Sequence, residues 1–309
     1  MAAFKSILVD VDATARAHPA LERAVLLAQR VGATLTVADV VTIPPPARHY
    51  MTPALEEDLV SVRRQQLARV ANAVSGVPAS SRLLVGRPAT VLIQEVLRSN
   101  HDLLVRSHAR ELAVPGAKPF GVVDMELLRL CPCPVLLARH GSPTSRPRIA
   151  AAVNASTEEA EEQALNAKIV EFALMMAAQL DAEPPTLLQA WTPFAERMIR
   201  GHAGDDQLAS YVDGARQHAA ADLARLVRSF EGHVTNEQAT LRRGEPDAII
   251  PEFVVAEGID LVVMGTVARS GLAGLLIGNT AERVLRKLPC SVLTVKPDGF
   301  VSPICLDPS

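Results

Sequence analysis

Between Met264 and Arg283 the chain reads Met-Gly-Thr-Val-Ala-Arg-Ser-Gly-Leu-Ala-Gly-Leu-Leu-Ile-Gly-Asn-Thr-Ala-Glu-Arg, and here residue types and spacing could do chemistry. An apolar run from Leu261 ends at Gly265, and a Gly-rich loop with hydroxyl side chains follows. Ala281, Val284, Leu285 and Leu288 then recur with helical spacing. Asn279 or Thr280, just ahead of that helical run, would serve as an N-cap. The first-turn amides and the positive end of the helix dipole would then form an anion site. The chemistry is phosphate recognition by backbone. A structural strand-to-helix connection that needs glycine only for its turns explains the same loop, because a loose glycine pattern is unspecific. Arg269 neutralises a phosphate in the first reading and is a solvated loop charge in the second.

Other chemistry finds little support. The sequence contains no Gly-x-x-x-x-Gly-Lys-Ser/Thr, His-Glu-x-x-His or Gly-x-Ser-x-Gly, and no His/Cys cluster with metal spacing. The four cysteines (Cys131, Cys133, Cys290, Cys305) are too few for a disulfide framework in 309 residues, and Cys131-Pro-Cys133 lacks the Cys-x-x-Cys spacing. They read as small buried hydrophobes. A net charge of -3 argues against a nucleic-acid partner. No apolar stretch is long enough to span a membrane, and the start lacks a signal-peptide layout, so the expected location is the cytoplasm.

The elements that must position the loop follow from periodicity. Residues 6–11 form a strand-like run ending in Asp12-Ala13-Thr14. Leu21, Ala24, Val25, Ala28 and Val31 mark a helix face closed by Gly32. Leu35 to Val41 is a second strand stopped by three prolines. A long helix over about 53–74 carries Leu55, Leu59, Val62, Leu67, Val70 and Val74 as its apolar residues, with a solvated polar face. A third strand at 81–85, the turn Gly86-Arg87-Pro88, a helix through Val96, a strand at 102–105, a helix at 123–130 and a strand at 134–138 complete the alternation. Strand and helix in alternation imply parallel pairing by right-handed crossovers.

After a polar, Pro/Gly/Ser-rich stretch (139–148) the pattern restarts. Ile149 to Val153 with Asn154-Ala155-Ser156 restates Ile7 to Val11 with Asp12-Ala13-Thr14. Gly244-Glu245-Pro246 matches Gly86-Arg87-Pro88, the strand from Asp260 matches the one from Asp102, and Leu-Pro-Cys290-Ser-Val-Leu matches Cys-Pro-Cys133-Pro-Val-Leu. Signature positions recurring in one order indicate a duplication. The expected domains are 1–141 and 147–299, with 300–309 as an unassigned tail.

These motifs together resemble the universal stress protein family, over nearly the whole chain and twice, in the tandem arrangement called UspE-like. The resemblance implies an α/β fold of two doubly wound domains related to adenine nucleotide alpha hydrolases, each a five-stranded parallel sheet with helices on both faces. Nucleotide-binding members carry Gly-x-x-Gly-(nine residues)-Gly-Ser/Thr in this loop. Here Gly265 and Gly278 match, Ala268 replaces the second glycine and Asn279 the Ser/Thr. The resemblance places a nucleotide such as ATP, ADP or AMP, or a nucleotide-containing ligand, against Ala152, Val153 and Asn154, against Ala190 and Trp191, and against Met264, Gly265, Ala268 and Arg269. Gly278, Asn279, Thr280 and Ala281 complete the set. Asn154 stands where such members have an acid, and Trp191 is either a base-stacking platform or a lid over the core.

The first copy keeps the acid as Asp12 but lacks the loop, with Pro115 and Pro119 in place of glycine freedom. His108 there reads as an exposed loop residue. The expectation is a non-enzymatic protein of the stress response, with no required cofactor or metal, whose second domain holds any ligand. The first domain would be its pairing partner within the chain, with a homodimer as a further assembly. The alternatives are a ligand-free scaffold and a slow phosphohydrolase, and for the latter no positioned base or metal carboxylate is found.

Overall fold

A computed structural model of the chain describes residues 4–107, 120–139, 146–202, 204–266 and 278–306. They divide into two compact units: residues up to 139 with 291–306, and 146–266 with 278–290.

The first unit is built on strands β1 (Ser6–Asp10), β2 (Thr34–Val41), β3 (Ala79–Val85), β4 (Leu103–Ser107) and β5 (Val135–Ala138). β1 pairs in parallel with β2 on one side and β4 on the other; β3 lies outside β2 and β5 outside β4. Between them run helices α1 (Pro19–Val31), α2 (Pro53–Asn72), α3 (Pro88–Ser99) and α4 (Val122–Leu130). The chain steps one way from β1 to β3 and the other way from β4 to β5. Right-handed crossovers therefore put α1 and α2 on one face and α3 and α4 on the opposite one.

The second unit repeats this with β6 (Ile149–Ala152), α5 (Ala160–Leu180), β7 (Thr186–Trp191), the short α6 (Glu196–Arg200), α7 (Asp205–Arg228), β8 (Ala239–Arg243), α8 (Pro246–Ala256), β9 (Leu261–Gly265) and α9 (Asn279–Leu285). Its parallel order is β9, β6, β7, β8. The last strand, β10 (Ser291–Val295), belongs by packing to the first unit, where it pairs antiparallel with β5. The sequence repeat thus runs through β10, while the compact unit ends before it. The tail is placed as well, since Gln94 Nε2 donates to the Cys305 carbonyl oxygen at 3.0 Å.

The repeated Gly-x-Pro turn has a physical cause. Gly86 and Gly244 sit at φ +145° and +143°, and a Cβ on either would lie 2.7 Å from Val91 or Ile249 of the helix that follows. Only glycine combines that backbone angle with that approach.

Two core expectations fail. On α2, Leu67 and Ala71 are buried, whereas Leu55, Leu59 and Val62 are 54%, 41% and 53% exposed. Those three carry the helical period but lie on a different line of the cylinder from the residues that meet the sheet. Cys131, Cys133 and Cys290 are buried as expected, but Cys305 is exposed.

Candidate functional site

In a doubly wound sheet, ligands lie beyond the carboxyl ends of the two central strands, where the direction of winding reverses. Those strands are β1 and β4 in the first unit and β6 and β9 in the second. Register makes their ends equivalent: Asp10 is opposite Arg106, and Ala152 is opposite Met264. The helix that follows has Gly121 as its N-cap in one copy and Gly278 in the other, so its third residue is Asp124 or Ala281.

At this point the first copy carries a charge cluster. Asp10 and Asp124 are buried, at 7% and 1% exposure. Arg106 forms an ion pair with Asp10 and donates from Nε to Asp124 Oδ1 at 2.9 Å. The other Asp124 oxygen accepts the Gly121 N–H at 2.8 Å. A carboxylate of the chain itself thus occupies the anion-receptive entrance of α4. One strand over, Asp39 accepts the Ala13 N–H at 3.2 Å, and Arg63 donates to both Asp39 (3.2 Å) and Asp12 (2.8 Å). Burial alone would raise the Asp12 carboxyl, but the Thr14 hydrogen bonds and the Arg63 guanidinium outweigh it and hold it below the usual range. The acid at position 12 is therefore committed to Thr14 and Arg63.

In the second copy the three equivalent positions are Ala152, Met264 and Ala281, with no charge among them. Gln189 replaces Asp39: its Oε1 accepts the Ala155 N–H at 3.3 Å and its Nε2 donates to Ser156 Oγ at 2.9 Å. Asn154 replaces Asp12. Its backbone is clasped by the buried Asn166 of α5, which accepts the Asn154 N–H at 2.9 Å and donates to the Asn154 carbonyl at 2.8 Å, while Asn154 itself is exposed. The strand end is thus fixed by neutral amides.

The structure brings Ala152, Val153, Asn154, Met264 and Gly265 together at the ends of adjacent strands. The entrance of α9 is tied to them by the Gly278 N–H, which donates to the Thr266 carbonyl at 3.1 Å. Gly278 is the N-cap, correcting the expectation of Asn279 or Thr280. Those two are the first exposed residues inside a seven-residue helix, and glycine offers no side chain to cap it. One first-turn amide is thereby spent on the Thr266 carbonyl. Ala190 and Trp191 end β7. Trp191 shares the alternation of Gln189 and hence its sheet face, and its ring has the Arg243 guanidinium 6.0 Å from its centroid. Arg243 is in turn held by Glu196 at 2.7 Å. Ala268 and Arg269 of the second copy, and His108, Pro115 and Pro119 of the first, lie outside the described residues.

Sequence reasoning missed Gln189, Asn166 and the Asp10, Arg106 and Asp124 cluster. The available signal was a polar residue interrupting an apolar strand or helix face, at Asp39, Gln189 and Asn166.

No helix among the described residues is long and apolar enough to cross a membrane.

Comparison with known proteins agrees with this duplicated architecture. The model of the universal stress protein family matches residues 3–139 and again 148–296. Universal stress protein E of Salmonella typhi is 33% identical, with 99% of each chain covered, and that of Photorhabdus laumondii is 30% identical, with 98% of each covered. Among solved structures, a functionally unknown protein from Pseudomonas aeruginosa PAO1 aligns with a TM-score of 0.70 at 27% identity, over 96% of this chain and 94% of its own. A universal stress protein from Archaeoglobus fulgidus shares the fold, with a TM-score of 0.65 at 17% identity over 94% and 96% of the two chains. A duplicated doubly wound unit, matched by the family model in both halves, makes this chain a member of the universal stress protein family with two such domains in tandem.

Proposed function

We propose that the second copy binds a nucleotide or nucleotide-containing molecule beside the entrance of α9, without turning it over, and that the first copy is a structural half. The protein then acts in the stress response as a cytoplasmic, ligand-sensing member of its family. One observation carries the reading: the buried Asp10 and Asp124 and the half-buried Arg106 of the first copy become Ala152, Met264 and Ala281 in the second. No carboxylate of the chain stands at the third position of α9, where an anionic ligand would otherwise meet repulsion. The exposed Asn154, Asn279 and Thr280 supply neutral hydrogen-bonding groups around that entrance.

The test is thermal shift of the full chain with ATP, ADP and AMP, beside the Ala281→Asp variant. A nucleotide at about 100 times its dissociation constant stabilises the native state by roughly 2.7 kcal/mol. Ala281→Asp places the first copy's carboxylate in the second and removes that shift. A ligand-free scaffold is the competing reading, favoured by the pairing of β10 with β5, which commits the last strand of the second repeat to the first unit. Absence of a shift with all three nucleotides decides for the scaffold.

A further inference from the structure

We infer that α2 is a self-association surface, and that two copies of this chain pair through it in antiparallel fashion about a twofold axis. At 3.6 residues per turn, Leu55, Leu59, Val62, Gln66 and Ala73 fall on one line of the helix, roughly a third of a turn away from the buried Leu67 and Ala71. Along the N-terminal part of that line Leu55, Leu59 and Val62 form a strip of exposed aliphatic side chains about two turns long, clustered rather than scattered singly as exposed residues that need no explanation are. At the C-terminal end of α2 the line runs into a groove of about 610 Å³ between α1 and α2, with Leu21, Val25, Val70 and Val74 among its walls.

The occupant follows from charge and shape. The N-terminal half of α2 carries Glu56, Glu57 and Asp58, and its C-terminal half carries Arg64 and Arg69, all exposed. Among the described residues none of these five has an ion-pair partner within the chain. Asp58 and Arg69 flank the apolar line on the same side. When two identical helices pack antiparallel, equivalent flanks face one another. Matching the acidic half of one α2 to the basic half of the other therefore sets Asp58 beside the partner's Arg69, and Arg69 beside the partner's Asp58. The same register carries Leu55 and Leu59 of each copy to the grooved end of the other, where protruding side chains meet a concave apolar wall. A parallel arrangement would place acid against acid and leave both grooves empty.

Sedimentation of the full chain tests this. The wild type is expected to show a concentration-dependent dimer, and Leu59→Glu to be monomeric with the melting temperature of wild type at concentrations where the wild type has dissociated, because residue 59 is exposed in the single chain. Asp58→Arg and Arg69→Glu should each weaken the dimer by about tenfold, since each turns two attractive contacts repulsive. The double variant Asp58→Arg/Arg69→Glu should return to within about threefold of wild type, because the exchanged charges still meet their complements. A chain monomeric at all concentrations overturns the inference and leaves the face to a different protein. A dimer indifferent to Leu59→Glu, or a double variant no better than the singles, overturns it equally.

Discussion

The two copies use one scaffold to reach opposite solutions at the same place. Beyond β1 and β4 the first copy packs the buried Asp10 and Asp124 around the half-buried Arg106, and Asp124 takes the Gly121 amide for itself. Beyond β6 and β9 the second copy has Ala152, Met264 and Ala281, and the strand ends are held by Asn166 and Gln189. A fold that presents a helix entrance to the crevice must neutralise it with something. One copy supplies the anion from its own chain, and the other leaves that position uncharged. Duplication thus allows one half to carry ion pairs at this position while the other carries uncharged side chains.

Breaking the cluster one residue at a time should give the largest effect. Arg106→Met imports the second copy's residue but leaves Asp10 and Asp124 buried without their counter-charge, and loss of one partner from such a group costs about 3–5 kcal/mol. The triple variant Asp10→Ala/Arg106→Met/Asp124→Ala imports the whole apolar set and should recover most of that loss, because an apolar replacement of a buried ion cluster is close to neutral. Denaturant midpoints of the two variants against wild type measure it. If the triple variant is as unstable as Arg106→Met, the two copies are not interchangeable solutions.

Much of this architecture was legible because it rests on local chemistry. The Gly86 and Gly244 turns need a backbone angle that glycine alone adopts easily, so they mark the same corner twice. The helix faces built on Leu21, Ala24 and Ala28, and on Ile169, Ala173 and Met176, obey one period and are buried. What was not legible depends on partners distant in sequence. Asp39 and Gln189 are single polar residues in apolar strands, and their task becomes visible only when Ala13 and Ala155 arrive to donate. The period of α2 gave a correct helix and a wrong inner face, because periodicity does not say which of two apolar lines meets the sheet. Asn279 has the chemistry of a cap, but it is already the first helical residue, and the N-cap is Gly278, which closes onto Thr266.

The last strands of the repeats extend the comparison. β5 is followed by the exposed Arg139 and β10 by the buried Lys296, whose ammonium donates to the Leu128 and Arg129 carbonyls at 2.6 and 3.1 Å at the end of α4. It also lies 4.9 Å from the centroid of the Phe300 ring. Burial, with the nearby Arg129, pushes Lys296 down to about 7, against the favourable influence of Cys131. The folded value lies below the unfolded one, so the unfolded chain binds more protons between pH 7 and the ordinary lysine range. Stability therefore rises as pH increases through that window, at a rate of up to about 1.4 kcal/mol per pH unit. Below pH 7 this contribution is flat. Lys296→Met should remove the slope from a series of urea midpoints taken between pH 6.5 and 10, whereas Arg139→Met should leave it intact.

The smallest effect separates two residues at one register position. Ser107 ends β4, and its Oγ accepts the Ala20 N–H of α1 at 3.1 Å, capping a helix whose own N-cap residue, His18, makes no side-chain bond. Gly265 ends β9, and a Cβ there would meet Leu165 Cδ2 at 2.8 Å, so the absent side chain lets α5 approach the strand. Ser107→Gly should cost about 1 kcal/mol through the lost cap. Gly265→Ser should cost roughly 1–3 kcal/mol through overpacking against Leu165. Pairing Gly265→Ser with Leu165→Ala tests the cause. If the clash is what glycine avoids, the two changes together are less destabilising than the sum of each alone. An additive result would instead assign Gly265 to the backbone path into the loop.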